Sequence, residues 1–163
     1  MNKKGFTLIE LIIVIAVIAL LAAAVFVAVD PAKRIGQARD AQRWSDVTSV
    51  ADGIMKYIVD ESGSFPTSTA TFTSNGATYY AIMGYGTTGA AGTTCQNQTV
   101  GAVGISLDNI VTTYLPTMPI DPGSVAYGTV STGYYFMRTD SGRIQIGACV
   151  ESDYADASIY VQR

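Results

Sequence analysis

The sequence predicts an α+β protein in which one long N-terminal helix packs against a small antiparallel β-sheet. An apolar run from Phe6 to Val29 is followed by a segment with helical spacing, which ends at a cluster of breaker residues before Pro66. Beyond Pro66 the chain is rich in Gly, Thr, Ser and Tyr and contains one strong hairpin pattern. A few strands laid on one long helix form an α+β head.

Composition narrows the possible functions. The chain is 48% hydrophobic and only 14% charged, whereas soluble domains usually contain about 25% charged residues. It has no histidine, which excludes catalytic triads and metal sites that depend on this residue. It also lacks a nucleophile motif, a phosphate-binding loop and a basic patch with interleaved aromatic residues. We therefore expect no enzyme activity, no cofactor and no nucleic-acid partner.

The apolar run is long enough to cross a membrane. Its 24 residues, Phe6 to Val29, form a helix of about 36 Å, compared with about 30 Å for the bilayer core. One interpretation is a secretory signal cut after Ala22-Ala23-Ala24, and another is a plain single-pass anchor. Glu10 argues against both, because an acidic side chain inside a membrane helix costs about 2.5–3.5 kcal/mol at mid-helix, though less near an end, and neither role benefits from it.

The residues at the start of the run support a third interpretation. The basic leader Met1-Asn2-Lys3-Lys4 precedes Gly5-Phe6-Thr7-Leu8-Ile9-Glu10. This order resembles the class III signal of type IV prepilins, over roughly the first 29 residues. The resemblance implies that a prepilin peptidase removes residues 1–5 by cutting between Gly5 and Phe6, and that the new Phe6 amine is N-methylated. The fold it implies is pilin-like.

The resemblance also implies a partner for Glu10. As the fifth residue of the mature chain, its carboxylate would neutralise the Phe6 ammonium of a neighbouring subunit in a filament core. Opposite charges about 4 Å apart attract strongly at low dielectric, whereas a slipped register leaves both unpaired. The expected partners are copies of this chain in a helical homopolymer, the prepilin peptidase, the assembly platform with its ATPase, and membrane lipid before assembly.

The expected location is the cytoplasmic membrane, as a single-pass precursor with its N-terminus inside, and then an extracellular filament at the cell surface. The distribution of positive charge opposes this orientation, since positive charge favours the cytoplasmic side of a membrane helix. Lys3 and Lys4 precede the apolar run. Four basic residues follow it closely: Lys33, Arg34, Arg39 and Arg43. The leader resemblance nevertheless requires the N-terminus to be inside.

Helical spacing continues over residues 30–60. Apolar residues recur every three or four positions, at Trp44, Val47, Ala51, Ile54 and Ile58. Most charged residues, including Asp40 and Arg43, fall on other faces, which predicts an amphipathic half packed on the head and an apolar half that protrudes. Asp30-Pro31 interrupts the helix, because proline lacks an N–H and disfavours helical backbone before it. A kink, a boundary between two helices and a hinge used in assembly are all open interpretations.

The head, residues 61–163, is predicted from shorter patterns. A hairpin joins 133–138 to 143–150 through a turn at 140–142. One face of its second strand is expected to be buried: Ile144, Ile146, Ala148 and Val150. Of Tyr134 and Tyr135, which alternate on the first strand, at most one is expected in the core. The remaining predicted elements are strands over Thr78–Met83, Val100–Ile105 and Ala157–Gln162, a short helix over Leu107–Leu115, and a linker over Leu115–Pro122.

Cys95 and Cys149 are the only cysteines. An even number of cysteines in an exported chain favours one disulfide. Closing this loop stabilises the fold by about 4 kcal/mol in the chain-entropy description. Two separate buried thiols are the alternative.

The proline-rich stretch Leu115–Pro122, followed by the Tyr-rich hairpin, also resembles the major pseudopilins of type II secretion. Such subunits can hold calcium near this region. Five acidic residues are available here: Asp121, Asp140, Glu151, Asp153 and Asp156. Their spacing is unlike that of an EF-hand loop, so we expect surface acids and no metal site. The sequence thus predicts a structural filament subunit, with a minor pilin or a pseudopilin of a type II secretion or DNA-uptake system as the alternative.

Overall fold

The computed structural model describes residues 5–66, 80–83, 94–95, 98–99, 105–123, 131–139, 141–155 and 157–163. The predicted α+β class is confirmed by a long, apolar N-terminal helix and a small, mainly antiparallel sheet. The chain divides into two units, Met1–Ile35 and Gly36–Arg163.

Helix α1 spans Leu8–Val29 and helix α2 spans Pro31–Asp60. They are separated by Asp30, whose backbone has a φ of 45° in the left-handed region. Pro31 is the first residue of α2, a position that suits proline because the N–H it lacks would have no partner there. The break that the sequence predicts at Asp30-Pro31 is therefore a boundary between two helices.

The sheet has five strands in the order β4-β1-β5-β6-β7, and β2 and β3 form a separate pair. Strand β1 runs parallel to β4 and antiparallel to β5, and the pairs β5–β6 and β6–β7 are antiparallel. The strand bounds are β1 Tyr80–Met83, β2 Thr94–Cys95, β3 Gln98–Thr99, β4 Ile105–Ser106, β5 Tyr134–Arg138, β6 Ile144–Ala148 and β7 Tyr160–Gln162. The predicted hairpin is thus present as β5–β6, and the predicted last strand lies at an edge as β7.

The main core lies between α2 and one face of the sheet. The apolar stripe of α2 contributes Val47, Val50, Ala51 and Ile54, and the sheet contributes Tyr134, Phe136, Ile144, Ile146 and Ala148. Gly53 lets the segment 107–115 approach the helix, because a Cβ at this position would lie 2.9 Å from Leu115 Cγ. That segment was predicted as a helix, which is wrong. It forms turns closed by a Val111–Leu115 bridge, and Thr112 has a φ of 75°, which a helix cannot accommodate.

The burial predictions for the hairpin need correction. Tyr134 and Tyr135 are both buried, because both faces of β5 are covered. Tyr134 belongs to the main core, while Tyr135 packs with Met137 and the two cysteines on the opposite face. Val150, predicted on the buried face, is 49% exposed because β6 ends at Ala148. For the predicted strands over 78–83 and 100–105, residues 78–79 and 100–104 lie outside the described residues.

Two charged residues of α2 that were predicted on its outer faces are buried. The Arg43 guanidinium donates from Nε to Asp121 Oδ2 at 2.7 Å, from Nη2 to Asp121 Oδ1 at 2.9 Å, and from Nη1 to Asp40 Oδ1 at 2.7 Å. Asp40 also accepts from the Ser152 N–H at 3.1 Å and from the Ser152 hydroxyl. The stretch Leu115–Pro122 is therefore no linker, since Asp121 fastens it to α2.

The surroundings of Arg43 and Asp40 favour the charged forms of these two side chains. Hydrogen bonds from Arg43 to Asp121, and then to Asp40, raise the pKa of Arg43 above its ordinary value despite burial. Burial by itself would raise the pKa of Asp40. Hydrogen bonds from Ser152 and Arg43 outweigh the effect of burial and hold this pKa below its ordinary value. The three side chains form one network of ion pairs that ties α2 to two loops of the head.

Asp46 lies near this network, but its hydrogen-bond donor is uncharged. It accepts a hydrogen bond of 2.6 Å from the Tyr134 hydroxyl, a neutral donor. Burial, and to a lesser extent the negative charge of Asp121, raise the pKa of Asp46, although the Tyr134 hydrogen bond opposes them. A carboxyl whose pKa is raised on folding stabilises the protein below its unfolded pKa, and this contribution is lost as the pH rises through its folded pKa.

We therefore expect Asp46→Asn to be more stable than the wild type at pH 7, since the amide oxygen still accepts from Tyr134 and carries no charge. The difference in free energy of unfolding between Asp46→Asn and the wild type should narrow as the pH falls toward about 4, where aspartates in the unfolded chain become protonated. Urea unfolding of the full chain at both pH values measures it. A variant that is less stable by the same amount at both pH values would contradict the expectation.

Candidate assembly site at the N-terminus

The Gly5–Phe6 peptide lies outside helix α1 in exposed, non-helical backbone. Phe6 is 87% exposed, and a Cβ added at Gly5 would have no atom within 4 Å. The two residues predicted for cleavage and N-methylation are thus adjacent and accessible in the described part of the chain.

The start of α1 is fixed by a capping box formed by Thr7 and Glu10. Thr7 has an extended backbone with φ −83° and ψ 150°, and its hydroxyl oxygen accepts from the Glu10 N–H at 3.3 Å. In return, Glu10 Oε2 accepts from the Thr7 N–H at 2.8 Å and from the Thr7 hydroxyl at 2.7 Å. A capping box satisfies backbone N–H groups that have no partner within the helix, which explains why α1 begins at Leu8 and not at Phe6.

Apart from this acidic start, α1 is apolar on every side. None of its residues is buried, and Glu10 is the acidic residue of its first turn. Among the described residues, Leu8–Val29 is the one helix that is long and apolar enough to cross a membrane. A helix that is apolar all round needs lipid or other protein around it.

Residues 1–26 match a protein-family model, the prokaryotic N-terminal methylation motif. The chain carries a class III prepilin signal. This signal is that of type IV pilins and pseudopilins, and it implies processing by a prepilin peptidase and assembly into pilus-type filaments. Comparison of the chain with characterised proteins and with solved structures gives no match.

The prepilin signal and the apolar helix together fit a membrane-anchored precursor that assembles into a surface filament. The match covers residues 1–26. For the head, the available observation is its fold, in which α2 packs against a small sheet. The prepilin signal points to a structural subunit of type IV pilin-like or pseudopilin character.

In the head, Cys95 and Cys149 form a disulfide. It joins β2 to the residue that follows β6, and Cys95 is buried beside Tyr135 and Met137. Within the described ranges, no group of three or more Asp, Glu, Cys or His side chains is placed to hold a metal ion. Of the acids considered for calcium, Asp121 is buried in the ion pair with Arg43, and Asp140 and Asp156 lie outside the described residues.

Two features of these sites were missed from the sequence. The capping box has a local signal, Thr-x-x-Glu before an apolar run, and could have been found from that pattern. The Arg43–Asp121 pair joins residues 78 positions apart, and no local pattern indicates it.

Proposed function

We propose that this chain is the repeated subunit of a type IV pilus-like extracellular filament, in which Glu10 pairs with the Phe6 amine of a neighbouring subunit. The supporting observation is that α1 is apolar, has no buried residue, and has one carboxylate in its first turn, five residues after Gly5 in the prepilin signal. A neighbouring copy would supply both the apolar surroundings and the missing cation.

Before assembly, α1 would cross the cytoplasmic membrane with its N-terminus inside. Its 22 residues span about 33 Å, close to the bilayer core of about 30 Å. Glu10 would then lie near the cytoplasmic interface, where a carboxylate costs least. Cleavage after Gly5 creates the Phe6 amine, which the signal further implies is methylated.

The charge pair would act on register more than on net stability. In a filament core the ammonium and the carboxylate are both removed from water, and that cost offsets much of their attraction. A subunit displaced along the axis leaves both charges unpaired at low dielectric, which is strongly unfavourable. The assembled state therefore selects the axial position in which Glu10 meets Phe6.

Glu10→Ala and Glu10→Gln, expressed in the native host in place of the wild type, test this proposal. Both variants should insert and be cleaved after Gly5, because the leader is intact, but the yield of sheared filaments should fall at least tenfold. Gln retains an oxygen that can accept from Thr7, so an equal defect in both variants assigns the effect to the charge. Wild-type filament yield from either variant would refute the pairing.

Mass spectrometry of the same sheared filaments tests the structural role. The chain should be the main component and should begin at methylated Phe6. A trace amount of the chain among other subunits would instead favour a minor pilin or pseudopilin.

A further inference from the structure

Thr7 donates hydrogen bonds to only one of the two carboxylate oxygens of Glu10. Both the Thr7 N–H and the Thr7 hydroxyl donate to Oε2, at 2.8 and 2.7 Å. No donor among the described residues contacts Oε1. Within the described part of the chain, the carboxylate is therefore held at one oxygen, and the other has no donor.

The pair of residues that forms this arrangement remains in the mature chain. Removal of residues 1–5 leaves Thr7 and Glu10 as the second and fifth residues, and the donating N–H belongs to the Phe6–Thr7 peptide. The capping box therefore does not depend on the leader. It remains next to the amine that cleavage creates.

A glutamate side chain has several rotatable bonds, and fixing it in one position costs conformational entropy. When a neighbouring hydroxyl and amide already fix it, the partner that binds next does not have to overcome that cost. The free oxygen can then accept from a cation with little further ordering.

We infer that Thr7 is a positioning residue for assembly, which holds Glu10 so that Oε1 meets the Phe6 ammonium of the neighbouring subunit. This inference rests on the proposed charge pair and adds the residue that orients it. In this role Thr7 acts through Glu10, to which it donates two hydrogen bonds.

Competition within mixed filaments tests the inference. Wild-type chain and a mass-tagged variant are expressed together, and the variant-to-wild-type ratio in sheared filaments is divided by the same ratio for the cleaved chain in the membrane. Thr7→Val has nearly the shape of threonine but no hydroxyl, and we expect its incorporation to fall about fivefold, which corresponds to the cost of ordering one flexible side chain at an interface. Thr7→Ser retains the hydroxyl and should incorporate like the wild type.

The same substitution in a Glu10→Gln background separates positioning from simple helix capping. With no charge to present, Thr7→Val should reduce incorporation by less than twofold further. A further fivefold loss in that background would show that Thr7 acts only as a helix cap, and would overturn the inference.

The remaining outcomes distinguish this inference from the proposed function. If Thr7→Val incorporates like the wild type while Glu10→Ala is excluded, the positioning role is wrong and the charge pair stands. If Glu10→Ala itself incorporates like the wild type, the charge pair fails and the positioning role fails with it.

Discussion

Replacing Arg43 by methionine should lower the free energy of unfolding of the head by about 3–5 kcal/mol. Arg43 is the shared cation of Asp40 and Asp121, and the side chains of Arg43 and Asp121 are 3% and 0% exposed. Methionine fills similar space but leaves two carboxylates in the interior without a counter-charge.

Urea unfolding of the full chain in detergent, followed by circular dichroism, measures the effect. Arg39→Met is the matched control, because Arg39 lies one turn earlier on the same helix and is exposed. Neutralising all three groups, as Arg43→Met with Asp40→Asn and Asp121→Asn, should recover part of the loss, since a buried network can be replaced by neutral groups at small cost. A loss of less than 1 kcal/mol in Arg43→Met would contradict the role assigned to this network.

Loss of the Cys95–Cys149 disulfide should lower the free energy of unfolding by about 4 kcal/mol. The bond closes a loop with a sequence separation of 54, and the unfolded chain without it gains the corresponding freedom. It also fastens the β2–β3 pair, which is not hydrogen-bonded into the five-stranded sheet. The Tyr135 and Met137 side chains packed beside it would lose part of their cover.

The measurement compares the oxidised protein, the reduced protein and a Cys95→Ser, Cys149→Ser double variant. The reduced protein and the double variant should unfold at the same, lower urea concentration, and reductant should have no effect on the double variant. An oxidised protein whose midpoint is unchanged by reductant would show that the bond contributes little.

The parts that could be predicted from the sequence are those set by neighbouring residues. The prepilin signal from Gly5 to Glu10 is contiguous, and the break at Asp30-Pro31 follows from the missing N–H of proline. The β5–β6 hairpin follows from alternation across a short turn. Each depends on interactions within a few residues.

The parts that could not be predicted depend on residues far apart in sequence. Arg43 appears on the sequence as an exposed charge because its partner, Asp121, lies 78 residues away. Tyr135 is buried because the disulfide covers the outer face of β5, which strand alternation alone does not indicate. Thr112 adopts a positive φ in the turns that pack against Gly53, within the segment predicted as a short helix.

The helix boundary at Asp30 limits how far α1 can extend into the hydrocarbon core of a bilayer. The last carbonyl groups of a helix have no partner within the helix, and Pro31 has no N–H to offer them. Such groups cannot remain in hydrocarbon without a partner, so the end of α1 must lie where water reaches it. In the proposed membrane precursor, with Glu10 near one surface and Asp30 near the other, α1 would have a set depth and would tolerate little movement along the membrane normal.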